Sequence, residues 1–263
     1  MRVNVPLLTV VLIALIVGCA PAAPSATPTP STPQRIALLA PFEGQYRDIG
    51  YDALYAARLA LADAGVGYIE LMPQDDGGTL ETASARAQAF ATDPQVIVAL
   101  ALGYVAVDPG TQFSFGDVPV IIVGDWGTQP VGPNTYILGW GNTGFPDDSL
   151  FFPSTRVNLQ DATPLTFTSS AAMPDADFIA RYAATDQFAP PPTPLATLTY
   201  DAMRFLVQAL ANVTTREAAV TGIEATRYAG INGDIHFRAH SWMGAPRREY
   251  RVENGQLIPA SSG

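Results

Sequence analysis

The chain has 263 residues, a formal net charge of −10 and a single cysteine. This acidic balance disfavours nucleic acids and anionic membrane surfaces as partners. One cysteine excludes a disulfide framework, so the fold must be stabilised by buried apolar surface. A hydrophobic content of 48% is enough for one domain of ordinary size or two small ones.

The first 18 residues have the features of a secretory signal peptide. Arg2 gives the charged start, residues 6–17 are almost wholly apolar, and the small Gly18 precedes Cys19. This apolar run is shorter than the roughly 20 residues that span a bilayer. The sequence Ile-Val-Gly-Cys at 16–19 resembles the bacterial lipobox, which implies a lipid on Cys19 that anchors the protein to the extracytoplasmic side of the cell membrane. The alternative is a short N-terminal membrane anchor with an incidental cysteine.

Residues 19–34 form a second segment, which begins at the lipidated cysteine and is rich in Pro, Ala, Ser and Thr. Such a composition cannot build a core and prefers extended, polyproline-like conformations. We therefore expect a spacer between the anchored Cys19 and a folded domain over residues 35–263.

From Arg35 onward, short apolar runs alternate with helical patterns, which is typical of a parallel α/β layer. Strands are predicted at 35–40, 68–72, 96–100, 118–123, 136–138 and 165–168. Helices are predicted at 50–64, 79–91 with Thr79 as N-cap, 175–187, 194–213 and from Thr214 or Thr215 to 227. Two tail segments, 234–239 and 249–253, are expected to form a hairpin-like pair. Residues 139–161 are expected to be an irregular connection that joins 35–146 to 164–263.

Five stretches carry a family resemblance when they are taken in order. They are IALLAPFEG at 36–44, QDDGG at 74–78, FIARY at 178–182, YDAMRFL at 200–206 and RYAGING at 227–233. Together they resemble the type I periplasmic binding proteins, in particular the Leu/Ile/Val-binding family. The resemblance implies a substrate-binding component of an ABC importer for amino acids or related small molecules, with a permease as its partner.

The chain departs from this family in its length between residues 136 and 165. Family members have two α/β lobes, and this interval is too short for the core of a second lobe, which needs on the order of a hundred residues. We therefore expect a shortened form with most of the second lobe missing. The predicted fold is a single Rossmann-like, three-layer α/β lobe with a mostly parallel sheet.

In open parallel sheets the ligand lies at the carboxyl ends of the strands, which nominates the loops after the first, third and fourth strands. The candidate ligand-binding residues in these loops are Phe42, Tyr46, Gly103, Tyr104, Asp125 and Trp126. Family members generally grip the α-carboxylate of an amino acid with Ser or Thr hydroxyls and backbone amides in the last two loops. No such hydroxyl is present here, and the carboxylate of Asp125 would repel that of an amino acid. The aromatic residues are either a rim for a different, cationic or apolar, ligand or a cover for the end of the sheet.

The sequence offers little for catalysis or metal binding. His236 and His240 lie in a strand-like segment, where their spacing would separate them by about 13 Å, too far for one metal ion. Asp75 and Asp76 are interpreted as a polar turn between a strand and a helix. G-x-S-x-G and P-loop motifs are absent, as is a G-x-G-x-x-G that opens a helix. We therefore expect no catalytic residue, metal or cofactor.

Two functional hypotheses remain open. The first is a membrane-tethered solute-binding lipoprotein. The second is a non-transport module that uses a degenerate single lobe to contact a protein of the cell envelope.

Overall fold

The computed structural model describes residues 33–140, 166–253 and 256–260, which belong to one compact unit. The predicted signal peptide, Cys19, nearly all of the spacer and most of the irregular connection lie outside these residues. Within the described ranges, no helix has both the length and the apolar character needed to cross a membrane.

Twelve strands and six α-helices make up the described part of the chain. The strands are β1 (Gln34–Ala40), β2 (Ile69–Asp75), β3 (Val96–Ala101), β4 (Val120–Val123), β5 (Thr135–Leu138), β6 (Thr166–Ser169), β7 (Tyr228–Gly230), β8 (Gly233–Ile235), β9 (Phe237–Arg238), β10 (Ser241–Trp242), β11 (Arg248–Glu253) and β12 (Gln256–Pro259). The α-helices are α1 (Arg47–Ala64), α2 (Leu80–Thr92), α3 (Pro109–Ser114), α4 (Ala176–Ala183), α5 (Pro194–Ala209) and α6 (Arg216–Ala225), and a 3-10 turn covers Gly44–Tyr46.

The main sheet has seven strands in the order β2-β1-β3-β4-β5-β10-β9. All neighbours pair in parallel except β9, which is antiparallel to β10. Every residue of β3 and β4 is buried, because both strands are continuous apolar runs covered on two faces. The mostly parallel sheet predicted from the sequence is confirmed.

Helices cover both faces of this sheet. The chain passes from β1 through α1 to β2, and then through α2 to β3 on the other side of β1. Right-handed crossovers in these two opposite directions place α1 and α2 on opposite faces. Helix α1 packs against α5, and α2 packs against α3. The arrangement is the expected three-layer lobe.

Several helix ends follow from capping. The side chain of Thr79 accepts from the backbone N–H of Thr82 in a capping box, so the predicted start of α2 is confirmed. The side chain of Thr215 accepts from the backbone N–H of Ala218 and caps α6. Helix α3 was not predicted, because its six residues make fewer than two turns and show no repeating apolar pattern. It starts at Pro109, directly after the capping side chain of Asp108.

The tail pairs differently from the prediction. Segment 234–239 does not pair with 249–253: β8 forms a hairpin with β7, β9 joins the main sheet, and β11 pairs with β12 and β6. Ala239 and His240 have positive φ angles of 47° and 66°, which turn the chain directly after β9. A C-terminal hairpin exists, but its strands are β11 and β12.

Candidate functional site

The carboxyl ends of the first three strands meet at one edge of the main sheet. In the register of β1 and β2, Ala40 lies opposite Asp75. The backbone N–H of Asp76 donates to the carbonyl of Ala40 at 3.0 Å, and that of Leu102 donates to Leu39 at 3.0 Å. The loops after β1, β2 and β3 therefore come together, whereas the sequence nominated the loops after the first, third and fourth strands.

Two glycines allow these loops to approach Pro41 closely. The N–H of Gly50 donates to the carbonyl oxygen of Pro41 at 3.1 Å, and a Cβ on Gly50 would lie 2.1 Å from that oxygen. Gly103 has a φ of +96°, and a Cβ there would lie 2.7 Å from Cδ of Pro41. Gly103, a predicted ligand-binding residue, thus has a clear role in the backbone geometry of the site.

Three of the four predicted aromatic residues form a row along this edge. The ring centroids of Tyr46 and Tyr104 are 5.5 Å apart, and those of Tyr104 and Trp126 are also 5.5 Å apart. Tyr104 is 44% exposed, whereas Trp126 is 7% exposed and its Nε1–H donates to the carbonyl of Val123 at 2.7 Å. Trp126 is therefore the buried end of the row, and the two tyrosines provide the accessible surface of the row.

Phe42 is not part of that row. Its ring makes an edge-to-face contact with Tyr51 on α1 at a centroid distance of 5.8 Å, and it packs against the core. The structure thus assigns Phe42 to the junction between the first loop and α1.

A cleft of about 190 Å³ opens beside Tyr46 and Tyr104. We call it the aromatic cleft; its lining includes Glu43, Tyr46, Asp76, Gly78, Tyr104 and Val105. Phe42, Gly103, Asp125 and Trp126 lie outside this lining, so two of the six predicted residues line the cleft. Two acidic residues, Glu43 and Asp76, were not predicted as ligand-binding and do line it.

Asp75 and Asp76 have different roles although they are neighbours. Oδ1 of Asp75 accepts from the N–H groups of Phe42 (2.6 Å) and Glu43 (3.2 Å), and its Oδ2 accepts from Gly77 (2.8 Å). Asp75 therefore fixes the loop after β1 to the end of β2, which agrees with the prediction of a polar turn.

Asp76 is 1% exposed and lines the aromatic cleft. Its Oδ1 accepts from the N–H of Gly78 at 2.8 Å. Its Oδ2 lies 3.5 Å from the position that a Cβ on Gly103 would occupy, so the glycine leaves space beside this oxygen. Burial raises the pKa of the Asp76 carboxyl; the Gly78 hydrogen bond acts against this, and the charge of Asp75 adds to it.

Asp125 points into the protein. Its Oδ1 accepts from the N–H of Trp140 at 2.6 Å, and its Oδ2 accepts from the N–H and the Oγ–H of Ser170 at 3.1 and 3.0 Å. Burial raises the pKa of Asp125, and these three hydrogen bonds lower it in part. The carboxylate thus joins the end of β4 to the segments that follow β5 and β6. The sequence had indicated a ligand-binding position instead.

His240 contacts strand β5. Nδ1 of His240 is 2.8 Å from the carbonyl oxygen of Thr135, and its ring stacks on Tyr136 at a centroid distance of 5.0 Å. Among the residues that the structure describes, no group of three or more His, Cys, Asp or Glu side chains could hold a metal ion.

Comparisons with known proteins find solved structures of similar fold. No family model matches the chain, and no curated protein matches it. One similar structure is the solute-binding protein of an ABC transporter from R. palustris in complex with benzoate, at 12% identity and a TM-score of 0.68, covering 87% of this chain and 96% of that chain. Another is an ABC transporter substrate-binding protein from Desulfitobacterium hafniense in complex with Leu, at 16% identity and 0.65, covering 86% and 99%.

A third similar structure is the branched-chain amino acid transporter substrate-binding protein of Streptococcus pneumoniae in complex with isoleucine, at 13% identity and a TM-score of 0.62, covering 87% of this chain and 100% of that chain. These neighbours are substrate-binding proteins and not enzymes. The chain therefore has the fold of the type I periplasmic binding proteins, the fold of the branched-chain amino acid substrate-binding proteins of ABC transporters.

Proposed function

We propose that this protein is an extracytoplasmic solute-binding lipoprotein, held at the cell membrane by a lipid on Cys19. The observation that carries the proposal is the aromatic cleft, since it lies at the carboxyl ends of β1, β2 and β3. Ligands of open α/β sheets bind at this edge. Similar structures that hold benzoate, Leu and isoleucine support binding of a small molecule.

The proposed solute is an amino acid or a related small molecule, and the proposed partner is the permease of an ABC importer. The protein would act with a shortened fold, in which one lobe presents the ligand site. A single lobe leaves one side of the solute exposed to water, so less surface is buried than in a closed cleft. We therefore expect weaker binding and faster release than in a two-lobed protein.

A thermal-shift panel of amino acids, amides and small organic cations tests solute binding on the full chain. A solute present at 100 times its Kd stabilises the folded state by about 2.7 kcal/mol. At about 2–4 °C per kcal/mol for a domain of this size, the midpoint should rise by roughly 5–10 °C. If no solute raises it by more than a few tenths of a degree while one envelope protein is captured specifically, the interaction-module hypothesis replaces this proposal.

The anchor has a separate test. In cells fed an alkyne-labelled fatty acid, the wild-type chain should become labelled and fractionate with membranes. Cys19→Ser should lose the label and leave the membrane fraction. A Cys19→Ser protein that still fractionates with membranes would contradict lipid anchoring, whatever the result of the solute panel.

A further inference from the structure

We infer that the solute of the aromatic cleft is a small alkylammonium ion, whose N–H group donates to Asp76 while its alkyl part lies against Tyr46 and Tyr104. This inference rests on the proposed function, because it specifies the solute class for the same cleft. It narrows the proposed class of amino acids and related small molecules to an amine without the carboxylate that the ligands of the similar structures carry.

The carboxylate of Asp76 has one oxygen available to a ligand. Its side chain is 1% exposed, and only its Oδ1 has a hydrogen-bond donor within the described part of the chain, the N–H of Gly78. Oδ2 therefore has free acceptor capacity, and since it is not among the fully buried polar atoms without a partner, it is accessible from the cleft that Asp76 lines. A ligand that brings a positive charge and an N–H donor would satisfy this oxygen.

The negative charge of the cleft lining also favours a cation. Glu43 and Asp76 are both acidic, and the residues that line the cleft include no arginine or histidine. Asp75, the neighbour of Asp76 in sequence, accepts from backbone N–H groups with both oxygens and adds a further negative charge. A carboxylate ligand would meet repulsion here, whereas a cation would be attracted.

The two tyrosine rings of the cleft provide aromatic faces for a cation. Tyr46 and Tyr104 both line the cleft, and their planes meet at 61°, so they form two walls at an angle. A cation within about 6 Å of such rings gains roughly 0.5–1 kcal/mol at an exposed site and more when desolvated. A tyrosine hydroxyl has an ordinary pKa of about 10, so this ring is neutral at physiological pH, and burial raises the pKa of Tyr104 further.

The size of the cleft limits the solute. At about 190 Å³ it lies below the roughly 300 Å³ at which pockets for drug-sized ligands begin. A branched amine with five carbons is a suitable probe, and matched analogues with other charges have nearly the same shape.

Isothermal titration calorimetry on the full chain in neutral detergent at pH 7 tests the inference with five probes. Isopentylammonium should bind, and isopentanol and isovalerate, which have the same branched five-carbon skeleton, should bind at least about tenfold more weakly. Isopentyltrimethylammonium keeps the charge but has no N–H donor, so it should also bind more weakly. Leucine, which adds a carboxylate, should lose affinity as well.

Two variants locate the interaction. Asp76→Asn keeps the acceptor for Gly78 and removes the charge, so it should weaken isopentylammonium binding by roughly ten- to a hundredfold. Glu217→Gln removes one negative charge from the exposed first turn of α6, outside the cleft, and should leave binding unchanged. Tyr104→Leu should weaken binding by about two- to fivefold and serves as the second variant if Asp76→Asn does not fold.

The outcomes separate this inference from the proposed function. Binding of leucine or isovalerate in preference to isopentylammonium would overturn the cation inference and support a solute-binding protein. Equal loss of affinity in Asp76→Asn and Glu217→Gln would overturn the role of Asp76, since general electrostatics would explain both. Failure of all five probes and of the wider solute panel would overturn both proposals.

Discussion

Asp125 should contribute to stability rather than to ligand binding. Its carboxylate is 9% exposed and accepts three hydrogen bonds, from the N–H of Trp140 and from the N–H and Oγ–H of Ser170. These bonds join the end of β4 to the segments after β5 and β6. Replacement by alanine leaves all three donors without this acceptor.

The expected magnitude follows from those donors. A buried donor that loses its partner costs about 1–3 kcal/mol, so the two backbone N–H groups together account for about 2–6 kcal/mol. Removal of a buried carboxylate whose pKa is raised by burial offsets part of this loss. We expect Asp125→Ala to lower the free energy of unfolding by about 3 kcal/mol, and Ser170→Ala, which removes one hydroxyl, by about 1 kcal/mol.

Urea denaturation at pH 7, followed by tryptophan fluorescence, measures both values. Asp125→Asn should fall between the two alanine variants, because the amide keeps one acceptor oxygen but faces the Ser170 N–H with a donor. The double variant Asp125→Ala/Ser170→Ala should be less destabilised than the sum of the single variants, since the two side chains share a bond. A loss below about 1 kcal/mol in Asp125→Ala, together with reduced solute binding, would refute the structural role and return Asp125 to the ligand site.

Three further predictions concern other parts of the chain. Gly50→Ala should cost about 3 kcal/mol in urea denaturation, because its Cβ would lie 2.1 Å from the Pro41 oxygen, whereas Gly67→Ala, with no atom within 4 Å, should be nearly neutral. Arg216 donates to four backbone carbonyls at the end of α2 and the start of β3. Arg216→Ala should therefore lower the free energy of unfolding by about 2 kcal/mol, and Arg216→Lys should recover only part of that stability. Full recovery in Arg216→Lys would show that a positive charge alone suffices. Burial raises the pKa of the Asp76 carboxyl, so the folded state holds the carboxyl proton more tightly than the unfolded state does. The stability that this proton contributes is present below the unfolded-state pKa and is lost as pH rises through the folded-state pKa. Asp76→Asn should therefore melt above the unliganded wild type at pH 7 and match it in acid; a lower melting temperature at pH 7 would contradict this.

The parallel sheet could be predicted because its central strands are continuous apolar runs in the sequence. The run at 96–100 is wholly apolar and lies between turns, as expected of a strand buried on both faces. Thr79 could be predicted as a cap because a Thr before a helical pattern has few other local uses. The aromatic row could be anticipated in part, since Tyr46 and Tyr104 follow strands whose carboxyl ends share one edge.

The acidic part of the site could not be predicted. Asp75 and Asp76 are identical residues in one turn, and only the register of β2 against β1 decides that Asp75 faces the loop at Phe42 while Asp76 lines the cleft. The partners of Asp125 are equally hidden, because Ser170 lies 45 positions away in sequence. The tail pairing failed for a related reason: alternation of side chains indicates a strand but does not identify its neighbour.

The central claim is that this lobe binds a solute at the carboxyl ends of β1, β2 and β3. An amide NMR titration of the full chain with isopentylammonium tests it most directly. Saturable shifts are expected to be largest for Gly44, Gly78 and Val105, which line the cleft, and no shift is expected for Glu217. Shifts concentrated at any other surface, or no saturable shift with this probe or the rest of the solute panel, would contradict it.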